Sequence, residues 1–194
     1  VEEVVGTLDQ TVLSGVVVAA ALAAVIEHTL LGSHPIFTLS QPAVLGHLSA
    51  LPLHAALGVL AGFCSVGFTR ALLRLRGIFQ APSAVPSWLK PAFGGLVTGA
   101  LAIAGLLLVQ SRGVAGGGYT QLADALNGQL PLATLLVLGV LKAGATIFSY
   151  SSGGAGGLFA PVLFVGAMLG GSVGWLEHHW LGHVEMGAFA LVGV

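Results

Sequence analysis

Apolar residues run through this chain in long blocks rather than in the alternation of a half-buried strand or the narrow stripe of a surface helix. Gln10 to Ile26 contains no Asp, Glu, Lys or Arg, and neither does Leu48 to Thr69. Pro91 to Ser111 is uncharged between Lys90 and Arg112, and Ala143 to Leu176 is uncharged after Lys142. A helix that crosses a bilayer needs about 20 largely apolar residues. The pattern predicts spanning helices near 12–30, 51–76, 90–110, 131–150 and 159–176, the second reaching to about Gly77. No strand periodicity persists, which argues against a membrane β-barrel. Tyr119 to Leu126 reads as a helix too short to cross. Helix punctuation fits these limits. Gly32 and Pro35 follow the first span, Ser87 is placed to cap the third, and Pro131 to open the fourth, where a missing N–H costs nothing.

Composition narrows the class. Only 7% of residues are charged and 56% are hydrophobic, with a mean hydropathy of +0.98. A soluble domain carries about 25% charged residues, so an ordinary water-soluble enzyme is excluded. The net charge of −1 offers no basic field for nucleic acid. One cysteine, Cys64, rules out a disulfide framework, and it reads as a small apolar core residue. The 30 glycines suit close helix packing, with Gly166, Gly170, Gly171 and Gly174 at fitting spacing. The chain opens without Met and closes inside an apolar run, so it is expected to be a piece of a longer membrane protein.

Four of the basic residues, Arg70, Arg74, Arg76 and Lys90, bracket one loop, which the positive-inside bias puts in the cytoplasm. By span counting, Glu2 and Glu3 then lie at the inner side. The loop bearing Arg112 lies outside, and 149–157 is approached from the cytoplasmic half. Lys142 is expected toward the cytoplasmic end of its span, snorkelling or ion-paired, with a role in drawing in anions as the alternative.

The chemistry concentrates in Ser151-Ser152-Gly153-Gly154-Ala155-Gly156-Gly157-Leu158-Phe159-Ala160-Pro161. Non-helical backbone at membrane depth is tolerated only where protein buries it or water reaches it. Pro161 sets the first turn of the next helix. The N–H groups at that start lack intrahelical acceptors and carry about half a positive charge. An anion can accept them without a lysine or arginine beside it. Helix packing alone is the competing explanation for these glycines.

These residues resemble the GxFxP anion-binding motif of the CLC chloride channels and chloride/proton antiporters. Val162 to Gly170, Gly117-Gly118-Tyr119 and the opening Val1-Glu2-Glu3 are similar to the same family. The resemblance implies an all-α, polytopic membrane protein of tilted and broken helices in inverted repeats. Residues 1–194 would form part of one transmembrane domain, the end of the first half and much of the second. It implies a homodimer in a lipid bilayer, a bacterial inner membrane, chloride and protons as partners, and neither a cofactor nor enzyme chemistry. It assigns the anion to the backbone of Gly156, Gly157, Leu158, Phe159, Ala160 and Pro161, with Leu158 and Phe159 as donors and the Phe159 ring shaping or flanking the route. Glu3 becomes a proton-transfer glutamate, which favours chloride/proton antiport over a passive chloride channel. Without the resemblance, Glu2 and Glu3 read as solvated interfacial charges. A serine-bearing loop, a gating-glutamate loop and a late anion-binding tyrosine of the family have no counterpart in the chain.

Two further readings compete. Ser151 and Ser152 invite comparison with intramembrane serine proteases, but Tyr150 occupies the place of the needed glycine and no histidine pairs with them. His179 and His183, four apart, have zinc-ligand spacing. An interfacial His/Trp belt along Glu177 to His183 is the alternative. His28, His34, His47 and His54 form no constellation.

Overall fold

The computed structural model describes residues 10–32, 51–81, 86–154, 156–180 and 186–194. Among them the regular structure is helical, without a strand. The chain divides into two units, Val1–Thr38 and Leu39–Val194. The first holds α1 (Gln10–Leu31), whose side chains from Leu13 to Leu30 are all exposed. The second holds α2 (Leu51–Gln80), α3 (Leu89–Val109), α4 (Tyr119–Leu126), α5 (Leu132–Ser151), α6 (Phe159–Trp180) and α7 (Met186–Gly193). Five of these helices are long and apolar enough to cross a membrane: α1, α2, α3, α5 and α6.

Glycine sets how closely the helices of the second unit approach, as the spacing implies. A Cβ on Gly170 would strike the carbonyl of Phe189, and one on Gly166 the carbonyl of Gly193. The antiparallel α6–α7 pair therefore meets backbone to backbone, where dispersion contacts replace the hydrophobic drive that lipid abolishes. Gly94 lets α3 approach the end of α5, where a Cβ would strike the Ser152 side chain, and Gly105 makes room on α3 for the Val114 side chain of the loop that follows. The Thr98 hydroxyl donates to Ala145 O at 3.2 Å across that pair, and the Ser151 hydroxyl donates to Leu72 O at 3.1 Å, tying α5 to α2. Phe164, Leu138, Ala167 and Met168 are at or near zero exposure where α5 and α6 pack.

Several helix ends differ from expectation. Ser87 caps nothing: Trp88 occupies the N-cap of α3 without a side-chain bond. Lys90 supplies punctuation instead, donating to the carbonyls of Phe79 and Ala81 at the end of α2. That gives the last carbonyls of α2 a cationic partner, and α2 runs on to Gln80. Pro131 is the N-cap of α5, with extended ψ of 154°, and its carbonyl accepts from Leu135 N at 3.1 Å. Helix α6 continues past Leu176 to Trp180, and Glu177 is buried rather than part of an interfacial belt. Trp175 stacks on His179 at 5.0 Å. His183 lies outside the described residues, among which no group of three metal-ligating side chains occurs. Cys64 is exposed rather than in the core, because its face of α2 borders a groove.

Candidate functional site

The site grows from the break between α5 and α6. Helix α5 ends in a tightened turn: Ser152 N donates to Phe148 O at 3.1 Å, Gly153 N to Tyr150 O at 3.2 Å and Gly154 N to Ser149 O at 3.0 Å. Gly153 takes φ of 99°, a conformation closed to most L residues, and this turns the chain out of the helix. Helix α6 then starts afresh, with the Leu158 carbonyl accepting from Val162 N at 3.0 Å. Among the described residues, no carbonyl accepts from the N–H of Leu158 or Phe159. These donors sit at the positive end of a 22-residue helix.

A cavity of about 200 Å³ opens beside that start. Gly154, Gly156, Gly157, Leu158 and Pro161 all line it, so five of the sequence-selected or adjacent positions are brought together. Phe159 and Ala160 are not in the lining, and the Phe159 ring is 80% exposed, so it packs against nothing that would fix it beside the cavity. Gly156 and Gly157 are also exposed, so the helix start expected to be buried is open in this chain. Glu3 lies outside the described residues.

Lys142 also lines this cavity. Lys142 is 3% exposed and lies in the middle of α5, not at its end. Its ammonium donates to Gly113 O at 3.2 Å, to Val114 O at 3.1 Å and to Gly116 O. The loop between α3 and α4 folds over it, and the Phe164 ring lies 5.2 Å away. Gly118 permits this fold: its φ is 70°, and a Cβ there would strike both Phe164 and Gly113 O. Three carbonyl dipoles solvate the ammonium without cancelling its charge, and it has no carboxylate partner among the described residues. The expected snorkelling or ion pairing is therefore replaced by a carbonyl cradle. The reason is length: the side chain reaches the loop carbonyls and cannot reach a helix end. The signal in the sequence was position, since a helix over 132–151 puts residue 142 at its centre.

Hydroxyls complete the lining. Thr98 and Thr146 donate to backbone carbonyls, the latter to Lys142 O at 2.8 Å, while Ser149 makes no side-chain hydrogen bond with the described residues. Ser151 and Ser152 are buried and donate to Leu72 O and Ser149 O, an arrangement that holds backbone rather than activating a nucleophile. The cavity thus presents a buried cation, a helix N-terminus and the Ser149 hydroxyl, and among the described residues no acidic side chain lines it. Such a set attracts a small anion.

Comparison with known proteins agrees with this chemistry. The family model described as "Voltage gated chloride channel" matches residues 1–194. An H(+)/Cl(-) exchange transporter ClcA from Cronobacter sakazakii is 31% identical over 144 residues, covering 73% of this chain and 30% of that protein. The protein of the same name from Salmonella arizonae is 30% identical over 169 residues, covering 82% of this chain and 35% of its own. The chain spans about a third of the length of these curated relatives.

Proposed function

The chain belongs to the voltage gated chloride channel family, and from that premise we propose that the protein of which it forms part moves chloride across a membrane in exchange for protons. It is a multi-pass integral membrane protein, with helices long and apolar enough to span. The observation that carries the reading is the shared cavity. Lys142 and the start of α6 both line one space of about 200 Å³, and among the described residues no carboxylate lines it.

Chloride enters as a partly dehydrated ion. Leu158 and Phe159 offer backbone N–H groups, while Gly156 and Gly157 leave no side chain between main chain and ion. Ala160 and Pro161 complete the first turn, and Pro161 has no N–H to strand. Hydrogen bonds to charged groups contribute about 1.5–3 kcal/mol each. A site of few such bonds holds an anion long enough to select it and weakly enough to release it. Lys142 raises local anion concentration without touching the helix start, because its own donors are directed at the loop carbonyls. Glu3 carries protons at the inner side of the route. The remaining ligands come from polypeptide outside residues 1–194, and two copies assemble in a bacterial inner membrane.

Exchange is favoured over a passive chloride channel because the relatives named above are H(+)/Cl(-) exchange transporters, and because the resemblance of Val1-Glu2-Glu3 to the family implies a proton-transfer role for Glu3. The test is simultaneous recording of chloride and pH in proteoliposomes holding the full-length protein. Chloride moving down its gradient should drive protons in the opposite sense, against their own gradient. Chloride flux without proton movement assigns a channel, and no chloride flux at all removes the transport assignment.

A further inference from the structure

The second cavity of the Leu39–Val194 unit differs in kind from the first. It is a groove of about 340 Å³ bounded by α2, α5 and α6, with walls almost wholly apolar. Small residues line it, Gly67 and Ala71 on α2 with Gly139 and Ala143 on α5, together with larger side chains such as Phe68 and Val165. The one hydroxyl in the wall, Ser172, is turned inward to donate to Met168 O at 2.7 Å. Nothing in the groove asks for a polar partner.

The end of the groove is charged. On α2 it runs from Cys64 through Gly67 and Phe68 to Ala71, and one turn beyond Ala71 comes Arg74, with Arg70 on the same flank. Both guanidinium groups are exposed and make no hydrogen bond, ion pair or ring contact with the described residues. Their neighbour Arg76 is engaged, 5.5 Å over the Tyr150 ring. Cys64 to Ala71 is about 10 Å of helix at 1.5 Å per residue. One leaflet of hydrocarbon is about 15 Å deep. Arginines beside an apolar trough about two-thirds of a leaflet long match one chemistry: an anionic head joined to a hydrocarbon chain.

We propose that this groove binds an anionic phospholipid, with an acyl chain lying along Gly67, Ala71, Gly139 and Ala143 and the phosphate paired with Arg70 and Arg74. The charge pairing selects the lipid class, and the trough fixes where it sits. A zwitterionic lipid would fill the same trough but carries a cationic group against the two guanidiniums. A neutral helix of the remaining polypeptide would leave both arginines without a counter-charge.

The test uses the purified full-length protein in nanodiscs of mixed phosphatidylglycerol and phosphatidylcholine. A trace of phosphatidylglycerol carries a photoreactive group on its acyl chain, and crosslinked peptides are mapped by mass spectrometry. Crosslinks should fall on 64–71, 135–147 and 165–172, and unlabelled phosphatidylglycerol should compete far better than phosphatidylcholine. Arg70→Gln and Arg74→Gln should each lower that preference about fivefold, the usual contribution of one basic side chain at an anionic surface. Gly67→Leu, placed where an added side chain meets open space, should remove the crosslinks while leaving the arginines intact. Crosslinks scattered over the lipid-facing helices, equal competition by the two lipids, or a helix of the full-length protein filling the groove would each overturn the proposal.

Discussion

Lys142→Met separates a cation that attracts the anion from one that only holds a loop. A cavity of about 200 Å³ has a diameter of about 7 Å if taken as a sphere, and that length is taken as the separation of the ammonium from an ion in it. Two unit charges 7 Å apart in an effective dielectric of about 20 interact by about 2.4 kcal/mol, or about fiftyfold in affinity. The substitution also frees the carbonyls of Gly113, Val114 and Gly116. A second variant is therefore needed. Lys142→Arg keeps both the charge and the donors. Chloride binding to the full-length protein is measured by calorimetry in detergent, with thermal melting of each variant alongside. Methionine should weaken chloride about fiftyfold, and arginine should hold it within about threefold of wild type. If methionine lowers the melting temperature but leaves chloride affinity within threefold, the ammonium is a loop clamp and the electrostatic argument fails.

Phe159→Pro removes one backbone donor at a helix start that tolerates proline, and should weaken chloride by tenfold or more. Phe159→Ala keeps the N–H and should bind as wild type, since the ring is 80% exposed; equal losses in both would move the role to the ring. Glu3→Gln should abolish proton movement in proteoliposomes while chloride flux persists, and unchanged proton uptake would remove Glu3 from the mechanism. Gly170→Ala forces a methyl into the Phe189 carbonyl and should destabilise the α6–α7 pair by about 1–3 kcal/mol. An unaltered melting curve would show that the two backbones are not in contact. Ser151→Ala should cost about 1 kcal/mol through loss of the bond to Leu72 O, read as a lower melting temperature with chloride affinity unchanged.

Hydrophobic block length determined the helices of this protein. A bilayer-sized apolar run has only one way to satisfy its backbone polar groups without partners, so helix limits at 89–109 and 132–151 follow from the order of residues. The glycine contacts at 166 and 170 were legible for the same reason: in lipid, small residues at helical spacing have little use except close approach. The break between α5 and α6 was legible because the glycines on either side of Ala155 weaken any continuing helix and Pro161 suits only the first turn of a new one. Tertiary structure decided everything that depends on which distant segments meet. Residue order could not reveal that the 113–116 carbonyls fold over Lys142, because that contact joins positions on either side of α4. Nor could it reveal that Cys64 borders a groove rather than a core, or that Lys90 closes the end of α2. A lone charge in an apolar span has the same local sequence whether it snorkels, pairs or is cradled. Only the chain folding back on itself chooses among these, and here it brings a buried cation and an open helix start to one cavity.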